Sequence, residues 1–467
     1  MGYRIGLNSL LLCAIVIGSI FSGCSEKKAL SAEPTAGSWK PILLPSIQAI
    51  RLPPPPAENA DQPRREIQEL VSFQTQRTPQ METAINFWNV GAAIRWNEIA
   101  REAVAKNRTD PVMASRVYAL LSVAQYDALI AAWNNKYFHH RLAPTKMDSN
   151  VNPFVTASLD PVYPSEHAAI AAASAAVLGY LYPRETAYFD NKAKEHTESR
   201  LWAGVNFRSD ITSGEYLGRE VADLVIKRAR IDGADTVSVS DIPPGEGKWT
   251  SAPNAAQVFP SWGRVTPWLM ASVTEFRAPP PPTFDSPTFN AALSEVRQTS
   301  DTRTPEQARI AALWVDGAGS YTPPGRWNKA AADLILKYRL NEVRAARVFA
   351  LTNMAMMDAG IACWDTKFHY AVLRPSQADP AITTPVGLPN FPSYTSAHST
   401  FSGAGAEVLG QLFPKEKSVL NSKAEEAGAS RIYGGIHYRF DHEAGAAQGR
   451  AIAQLAIKRG QGDGSPR

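Results

Sequence analysis

The sequence predicts a mainly α-helical protein made of two tandem helical-bundle halves. Stretches such as residues 117–131 are rich in alanine and leucine and contain no glycine or proline, which favours helix. No series of alternating apolar and polar residues long enough to predict a sheet occurs. The chain also matches itself at a constant offset of 231 residues, and a fixed internal period is typical of a repeated structural unit.

The repeat includes residues with chemically useful side chains. Residues 114–120 recur as 345–351 with two substitutions. The matched pairs include Trp133 and Trp364, Lys136 and Lys367, Ser165 and Ser396, His167 and His398, Arg200 and Arg431, and Asp210 and Asp441. Two matched positions differ in chemical type, because Arg374 aligns with Ala143 of the first half and His437 aligns with Asn206. We interpret the first half as a scaffold with a degenerate site and expect the active site in the C-terminal half. Shared helix packing alone is the alternative.

The N-terminal residues are predicted to be a targeting signal. Arg4 precedes an apolar run at 7–21 that is short for a membrane span, and the run ends in Phe21-Ser22-Gly23-Cys24. This resembles a bacterial lipoprotein signal over residues 1–23, with membrane attachment through a lipidated Cys24. The resemblance implies export to the outer membrane or cell surface. A periplasm-facing position and an uncleaved signal anchor are the alternatives.

The rest of the chain divides into four predicted regions. Residues 24–80 are rich in proline, with four consecutive prolines at 53–56, and are predicted to be a tether. Residues 81–230 form the N-terminal helical half and residues 305–460 the catalytic half. Between them, residues 231–304 are an insertion whose aromatic-rich part, 259–268, is either a lid over the site or surface packing.

Charge and cysteine content argue against a nucleic-acid partner and against an intrachain disulfide. The net charge is only +4, and no basic block interleaved with aromatic residues occurs, so nucleic acid is not implied. Of the three cysteines, Cys13 lies in the signal and Cys24 would be acylated, which leaves Cys363 without an intrachain disulfide partner. A homodimer is left open because paired helical halves present exposed faces.

Three clusters near the C-terminus carry the chemistry. They are Lys367-x6-Arg374-Pro375, Ser396-Ala397-His398, and Ser430-Arg431-x5-His437-x3-Asp441. Together they supply three cations, a hydroxyl, a backbone amide and two imidazoles. The middle cluster precedes a helix-like run at 399–409, whose N-terminus would offer free amides to an anion. Each cluster alone is ordinary surface or core, but the set predicts a site for a tetrahedral oxyanion.

These clusters resemble the signature of the superfamily of vanadium-dependent haloperoxidases and type 2 phosphatidic acid phosphatases. Ala397 stands where a glycine is usual, but it keeps the backbone N–H. For a haloperoxidase, the resemblance implies a vanadate cofactor in competition with phosphate, with His437 as the axial vanadium ligand. Lys367, Arg374, Arg431, Ser396 and the Ala397 amide would hold its oxygens. His398 would help hydrogen peroxide to bind and lose a proton, and Lys367 would polarise it.

The same resemblance implies an acid phosphatase as the alternative. In that case no cofactor is needed, and His437 attacks the phosphorus of a phosphomonoester to form a phosphohistidine. Asp441 would orient the ring of His437, and His398 would protonate the leaving alcohol. The short interval between His398 and Arg431 resembles small bacterial acid phosphatases. A noncatalytic oxyanion-binding lipoprotein is a third hypothesis.

Two aromatic residues favour the haloperoxidase. Trp364 lies three residues before Lys367 and Phe391 lies five before Ser396, and both placements resemble the halide pocket of that branch. The opposing interpretation is core packing, since Trp133 occupies the equivalent position in the half without a working site. The prediction is a haloperoxidase that oxidises iodide or bromide, rather than chloride, to hypohalous acid.

Overall fold

A computed structural model describes residues 33–236, 242 and 245–466. In these ranges the chain forms α-helices, short 3-10 turns and loops, with isolated β-bridges and no strand ladder. The mainly α-helical prediction is confirmed. The signal peptide at 1–23 and Cys24 lie outside the described residues, so lipid attachment stays a prediction, which acyl labelling of the wild type and of Cys24→Ser would check.

In the described ranges eight helices belong to the first half and eight to the second, once the helices at 61–76 and 287–301, outside the predicted bounds, are counted with the halves they precede. The first eight are α1 (Asp61–Gln76), α2 (Pro79–Trp88), α3 (Ala92–Lys106), α4 (Pro111–His139), α5 (Pro144–Met147), α6 (Glu166–Leu181), α7 (Thr186–Trp202) and α8 (Arg208–Ala229). The others are α9 (Pro287–Asp301), α10 (Pro305–Leu313), α11 (Thr322–Lys337), α12 (Glu342–Tyr370), α13 (Pro375–Ala378), α14 (Ala397–Leu412), α15 (Lys417–Tyr433) and α16 (Arg439–Gln461). None of the helices in the described ranges is both long and apolar enough to cross a membrane.

The helix bounds follow the sequence repeat. Adding 231 to the bounds of α4, α5, α6 and α7 gives those of α12, α13, α14 and α15. Equivalent residues also meet between the halves, since Asn97 Nδ2 donates to Asn328 Oδ1 at 2.7 Å and Asn353 Nδ2 donates to Ser122 Oγ at 2.9 Å. Such contacts are expected along an approximate twofold axis. A common origin of the halves stays an interpretation.

The repeat extends further upstream than the sequence suggested, at a changed offset of 226. The 3-10 turn at Ala36–Ser38 is matched by Trp262–Arg264, and α1 and α2 begin 226 residues before α9 and α10. Gly37 and Gly263 lie against equivalent helices, where an added Cβ would come within 2.5 Å of Asn134 N and 2.6 Å of Asp365 N. We call residues 36–44 the first strap and residues 262–270 the second strap.

Each strap is held by one buried carboxylate. Asp127 on α4 accepts hydrogen bonds from the amides of residues 42–44, at 2.7, 2.7 and 3.0 Å. Asp358 on α12 accepts from the amides of residues 268–270 at the same three distances. Three charge-assisted bonds to one carboxylate fix the strap backbone firmly on its helix.

The straps contradict one prediction and decide between two alternatives. The tether predicted for 24–80 is wrong from residue 33 onward, because Trp39, Leu44 and Leu52 are buried in the core and residues 61–76 are helix α1. The segment 259–268 packs rather than forming a free lid, since Trp262 is 1% exposed and the second strap lies along α12. Proline-rich composition misled here because proline also suits buried extended segments that need few backbone donors.

The two longest helices, α4 and α12, pack against each other at the centre of the molecule. Both are buried nearly all round, so neither shows a polar face. Around them, α14 and α16 approach closely enough that a Cβ at Gly449 would lie 2.1 Å from Thr400 O. This close packing brings the N-termini of α14 and α16 together, which is where the predicted site lies.

Candidate functional site

The predicted site residues converge where five helices end or begin. Lys367 lies in the last turn of α12, and Arg374 directly precedes α13. Ser396 directly precedes α14, which carries Ala397 and His398 in its first turn. Arg431 lies in the last turn of α15. Between α15 and α16 lies His437, and Asp441 follows in the first turn of α16. Residues far apart in sequence are therefore positioned by rigid helix ends.

His437 is anchored through Nδ1 and faces a cation through Nε2. Its Nδ1 is 2.8 Å from Asp441 Oδ2, and the same oxygen accepts from Ser393 Oγ at 2.6 Å and from the amide of Tyr438 at 3.1 Å. The Nδ1–H···Oδ2 bond leaves the lone pair on Nε2, which faces Arg374 Nη1 at 3.1 Å. An imidazole held in this way can ligate a metal or attack phosphorus through Nε2.

The cations are buried and held by backbone carbonyls rather than by carboxylates. Lys367 Nζ donates to the carbonyls of Pro392 and Ser393 at 2.9 and 2.8 Å. Arg374 donates through Nε to Phe391 O at 3.0 Å and through Nη1 to Ile436 O at 2.7 Å. A buried cation without a carboxylate in contact keeps its charge available for an incoming anion.

Several polar atoms of the site have no hydrogen-bond partner among the described residues. They are Arg374 Nη2, Ser396 Oγ, His398 Nε2, Asp441 Oδ1 and the hydroxyl of the adjacent Tyr438, all shielded from solvent. Burying such groups unpaired costs about 1–3 kcal/mol each, more for a charged group. In addition Ala397 is the first residue of α14, so its N–H points out of the helix end. The donors Arg374 Nη2, Ser396 Oγ and the Ala397 N–H fit a tetrahedral oxyanion, because its deprotonated oxygens are acceptors.

Arg431 and His398 complete the site from the side of the α10–α11 loop. Arg431 donates through Nε to Ser430 Oγ at 2.8 Å and through Nη2 to the carbonyl of Ala311 at 2.6 Å. The ring of His398 is hydrogen-bonded to the backbone of Trp314 and Val315. With one ring nitrogen held by the loop, His398 Nε2 is left free for proton transfer.

Burial sets the charge states. It lowers the pKa of Lys367 to about 7 and that of Arg374 to about 10. It also lowers the pKa of His437 well below the ordinary value, with help from the nearby Arg374 and Lys367 cations. The pKa of His398 is likewise lowered by burial and by Arg431. At neutral pH both imidazoles are therefore neutral, which ligation through Nε2 and general-base catalysis require.

The two predicted pocket aromatics lie together beside the cations. The rings of Trp364 and Phe391 are 5.1 Å apart, and Lys367 Nζ lies 4.9 Å from the Phe391 ring centre. The guanidinium of Arg374 lies at the same distance from that ring. Trp364 Nε1 donates to Val258 O at 3.0 Å, so the segment preceding the second strap fixes its ring. The pair forms an apolar wall against two cations.

Sequence reasoning missed the groups that hold the site residues. Ser393 fixes Asp441, and the carbonyls of Ala311, Phe391 and Ile436 hold the arginines. Backbone carbonyls carry no sequence signal. Ser393 did carry one, because the equivalent residue of the first half is Val162, and a serine confined to the half with the complete cluster indicates a supporting role.

The first half shows why an equivalent site is absent there. Lys136 forms an ion pair with Glu166 at 2.9 Å, and Glu166 stands where the second half has Ala397. Ser165 Oγ accepts from the amide of Ala168 at 3.3 Å, whereas Ser396 makes no such cap. His167 Nδ1 lies 2.8 Å from His196 Nε2. Donors that are free in the second half are satisfied internally in the first.

Comparisons with known proteins show similarity to vanadium-dependent peroxidases. The family described as the VCPO second helical-bundle domain matches residues 347–385 and 416–462. The vanadium chloroperoxidase of Curvularia inaequalis is 28% identical over 146 residues, which span 24% of this chain and 24% of that enzyme. The matched segment thus covers about a quarter of the length of that relative.

Solved structures resemble this chain over most of its length. A bacterial vanadium-dependent iodoperoxidase aligns with a TM-score of 0.61 and 25% identity, over 79% of this chain and 95% of that one. The holo form of a bacterial vanadium-dependent chloroperoxidase aligns with a TM-score of 0.57 and 14% identity, over 76% and 93%. At that identity the second likeness shows the fold alone.

Fold and site together define a class. The paired helical bundles hold buried cations without carboxylate partners, a neutral imidazole and free donors. This arrangement is an oxyanion-binding scaffold of the vanadate and phosphate type. The comparisons support the similarity to the superfamily of vanadium-dependent haloperoxidases and type 2 phosphatidic acid phosphatases that the three clusters predicted.

Proposed function

We propose that this protein is a vanadate-dependent haloperoxidase that oxidises iodide or bromide. Halide, hydrogen peroxide and one proton would give hypohalous acid and water. The observation that carries the proposal is the set of buried groups without hydrogen-bond partners around His437 Nε2, namely the donors Arg374 Nη2 and Ser396 Oγ and the ring nitrogen His398 Nε2. The likeness to the iodoperoxidase, which covers 95% of that chain, supports the peroxidase over the phosphatase.

The residues fit vanadate in charge and in donor type. Three cations, the Ser396 hydroxyl and the Ala397 amide would hold the oxygens, and His437 Nε2 would ligate the metal. Bound vanadate would act as a Lewis acid that activates hydrogen peroxide without a change of oxidation state. One protein ligand suffices because the cationic shell contributes most of the binding free energy.

The side chains around this shell have separate roles. Neutral His398 would take a proton from hydrogen peroxide at Nε2, while the backbone of Trp314 and Val315 holds the rest of the ring. Lys367, with its pKa lowered to about 7 by burial, would donate hydrogen bonds to the oxygen that the halide attacks. The Trp364 and Phe391 wall would admit a weakly hydrated halide and exclude water.

The proposal is tested on the full chain freed of phosphate and assayed with and without orthovanadate. We expect peroxide-dependent oxidation of iodide and bromide only with vanadate, and we expect phosphate to suppress it by competing for the same donors. Hydrolysis of an aryl phosphate is measured in both samples. Hydrolysis without vanadate that vanadate inhibits would contradict the proposal and assign the phosphohistidine mechanism to His437.

Vanadate affinity is expected to fall as the pH rises above about 7. Burial lowers the pKa of free Lys367 to about 7, and a bound oxyanion favours its ammonium form, so the complex has the higher pKa. The contribution of the ammonium is therefore complete below the pKa of the free site and is lost as the pH rises through that of the complex. The dissociation constant should rise by up to about tenfold per pH unit there.

Calorimetric titration with vanadate from about pH 6 to about pH 9 measures this dependence. Lys367→Met removes the titrating ammonium and is the matched control. It should bind more weakly near neutral pH and show a flatter profile, and its remaining slope reports the protonation of vanadate itself. A profile identical to that of the wild type would show that Lys367 does not titrate on binding.

A further inference from the structure

A cavity of about 370 Å³ lies over the degenerate site of the first half. Trp133, Lys136, His167, Arg200 and Asn206 line it, and each is equivalent to a residue of the candidate active site. Its outer wall includes residues 335–336 and 339–342, from the connection between α11 and α12 of the other half. The volume is in the range of small-molecule sites. Nothing in the proposed haloperoxidase chemistry uses this space.

The charges of the cavity differ from those of the candidate active site. Three basic and three acidic side chains line it, so their formal charges cancel; they are Lys136, Arg200, Arg339, Asp160, Glu166 and Glu342. Lys136 is paired with Glu166 at 2.9 Å. Glu342 accepts hydrogen bonds from the amides of Ala92 and Ala93 at the start of α3. A tetrahedral oxyanion with two or more negative charges would meet Glu166 and Glu342 here without the set of cations found in the second half.

Arg200 is the buried cation of this lining that lacks an ion pair among the described residues. Its side chain is 2% exposed. Nη1 and Nη2 make only long contacts, 3.5 Å to Asn89 Oδ1 and 3.4 Å to Ile85 O. The equivalent Arg431 holds its counterpart carbonyl at 2.6 Å. A loosely held, desolvated guanidinium beside a cavity is costly unless an anion completes it.

The remaining lining is mostly apolar. Val90, Ile94, Val162, Val205 and Ala345 contribute to the walls. Trp133 also lines the cavity, and its buried indole Nε1 has no hydrogen-bond partner in the described part of the chain. A ligand here therefore needs one negative charge and an apolar body.

We propose that the first-half cavity binds a small organic monocarboxylate, with Arg200 as the partner of the carboxylate and the apolar walls around its hydrocarbon part. A guanidinium donates two parallel hydrogen bonds to a carboxylate, which the weak present contacts of Nη1 and Nη2 leave available. Burial lowers the pKa of Arg200 to about 10, so it remains a cation at neutral pH. The half that lost the oxyanion chemistry thus keeps a ligand site of a different class.

The test measures binding of benzoate, 3-phenylpropionate and hexanoate to the full chain by calorimetry. The neutral 3-phenylpropionamide and inorganic phosphate serve as chemical controls. Arg200→Gln is the main variant, and Arg431→Gln is its matched control at the equivalent position of the other half. We expect at least one carboxylate to bind, and Arg200→Gln to weaken it at least about tenfold. Arg431→Gln should leave carboxylate binding unchanged.

A second variant guards against misfolding of Arg200→Gln. Val90 is 39% exposed at the rim, so Val90→Trp narrows the mouth without disturbing the core, and it should also weaken carboxylate binding. The proposal is overturned if all three carboxylates fail to bind at millimolar concentration or if the amide binds as tightly as its acid. An equal loss of carboxylate affinity in Arg200→Gln and Arg431→Gln would also overturn it. So would displacement of the bound carboxylate by phosphate in Arg431→Gln. Halide oxidation need not be present for any of these outcomes.

Discussion

His437→Ala is expected to abolish peroxide-dependent halide oxidation and to weaken vanadate binding at least about a hundredfold. Removing a group that only hydrogen-bonds a metal ligand already lowers metal affinity or activity about ten- to a hundredfold. Loss of the ligand itself should lower them by no less. His437 Nε2 carries the lone pair of the site, because Nδ1 is committed to Asp441. The cations would still attract the anion, but without a metal ligand. Activity assays and vanadate titration measure the two effects.

The repeat supplies the control for this variant. Asn206→Ala removes the side chain at the equivalent position of the first half, where Asn206 Nδ2 donates to Val162 O at 3.2 Å. We expect halide oxidation to stay within about twofold of the wild type, since a lost neutral hydrogen bond affects stability only modestly. A folded His437→Ala protein that retains halide oxidation would contradict the whole site assignment.

The sequence was sufficient to predict the helical class and the convergence of the site residues. Both depend on local signals, namely helix-forming composition, a fixed period and cationic clusters at helix ends. Trp364 and Phe391 were also predicted to share a pocket, and the structure places their rings 5.1 Å apart. What remained out of reach depends on tertiary contacts, such as the carbonyl of Ala311 on Arg431.

The change of offset explains why the sequence repeat did not predict the straps. Residues 89–91 join α2 to α3, whereas residues 314–321 join α10 to α11, so the second loop has five more residues. A search at 231 residues therefore loses the match upstream of this point. The longer loop also contains Trp314 and Val315, whose backbone holds the ring of His398. The loop that carries the five extra residues therefore also contributes to the site.

Asp441→Asn is expected to lower halide oxidation about a hundredfold, because the hydrogen-bond partner of His437 Nδ1 loses its charge. Asp441 Oδ2 accepts from His437 Nδ1 at 2.8 Å and from the Tyr438 amide at 3.1 Å. Since both donors meet the same oxygen, an asparagine that keeps its oxygen there retains both contacts, and its NH2 takes the place of the unpartnered Oδ1. The imidazole then keeps its proton on Nδ1, but a neutral acceptor makes Nε2 a weaker ligand for the metal.

This prediction separates tautomer control from simple loss of charge. Burial raises the pKa of Asp441 to about 6, so the carboxylate is ionised at neutral pH and can hold the proton on Nδ1. Ser393→Ala removes one bond to the same oxygen but keeps the acceptor, and we expect a loss of only about tenfold. Nitrogen NMR of labelled histidine reports the tautomer of His437 directly. An Asp441→Asn protein that shows the Nε2–H form would contradict this explanation, and equal losses in both variants would show that the role of Asp441 is to hold the loop.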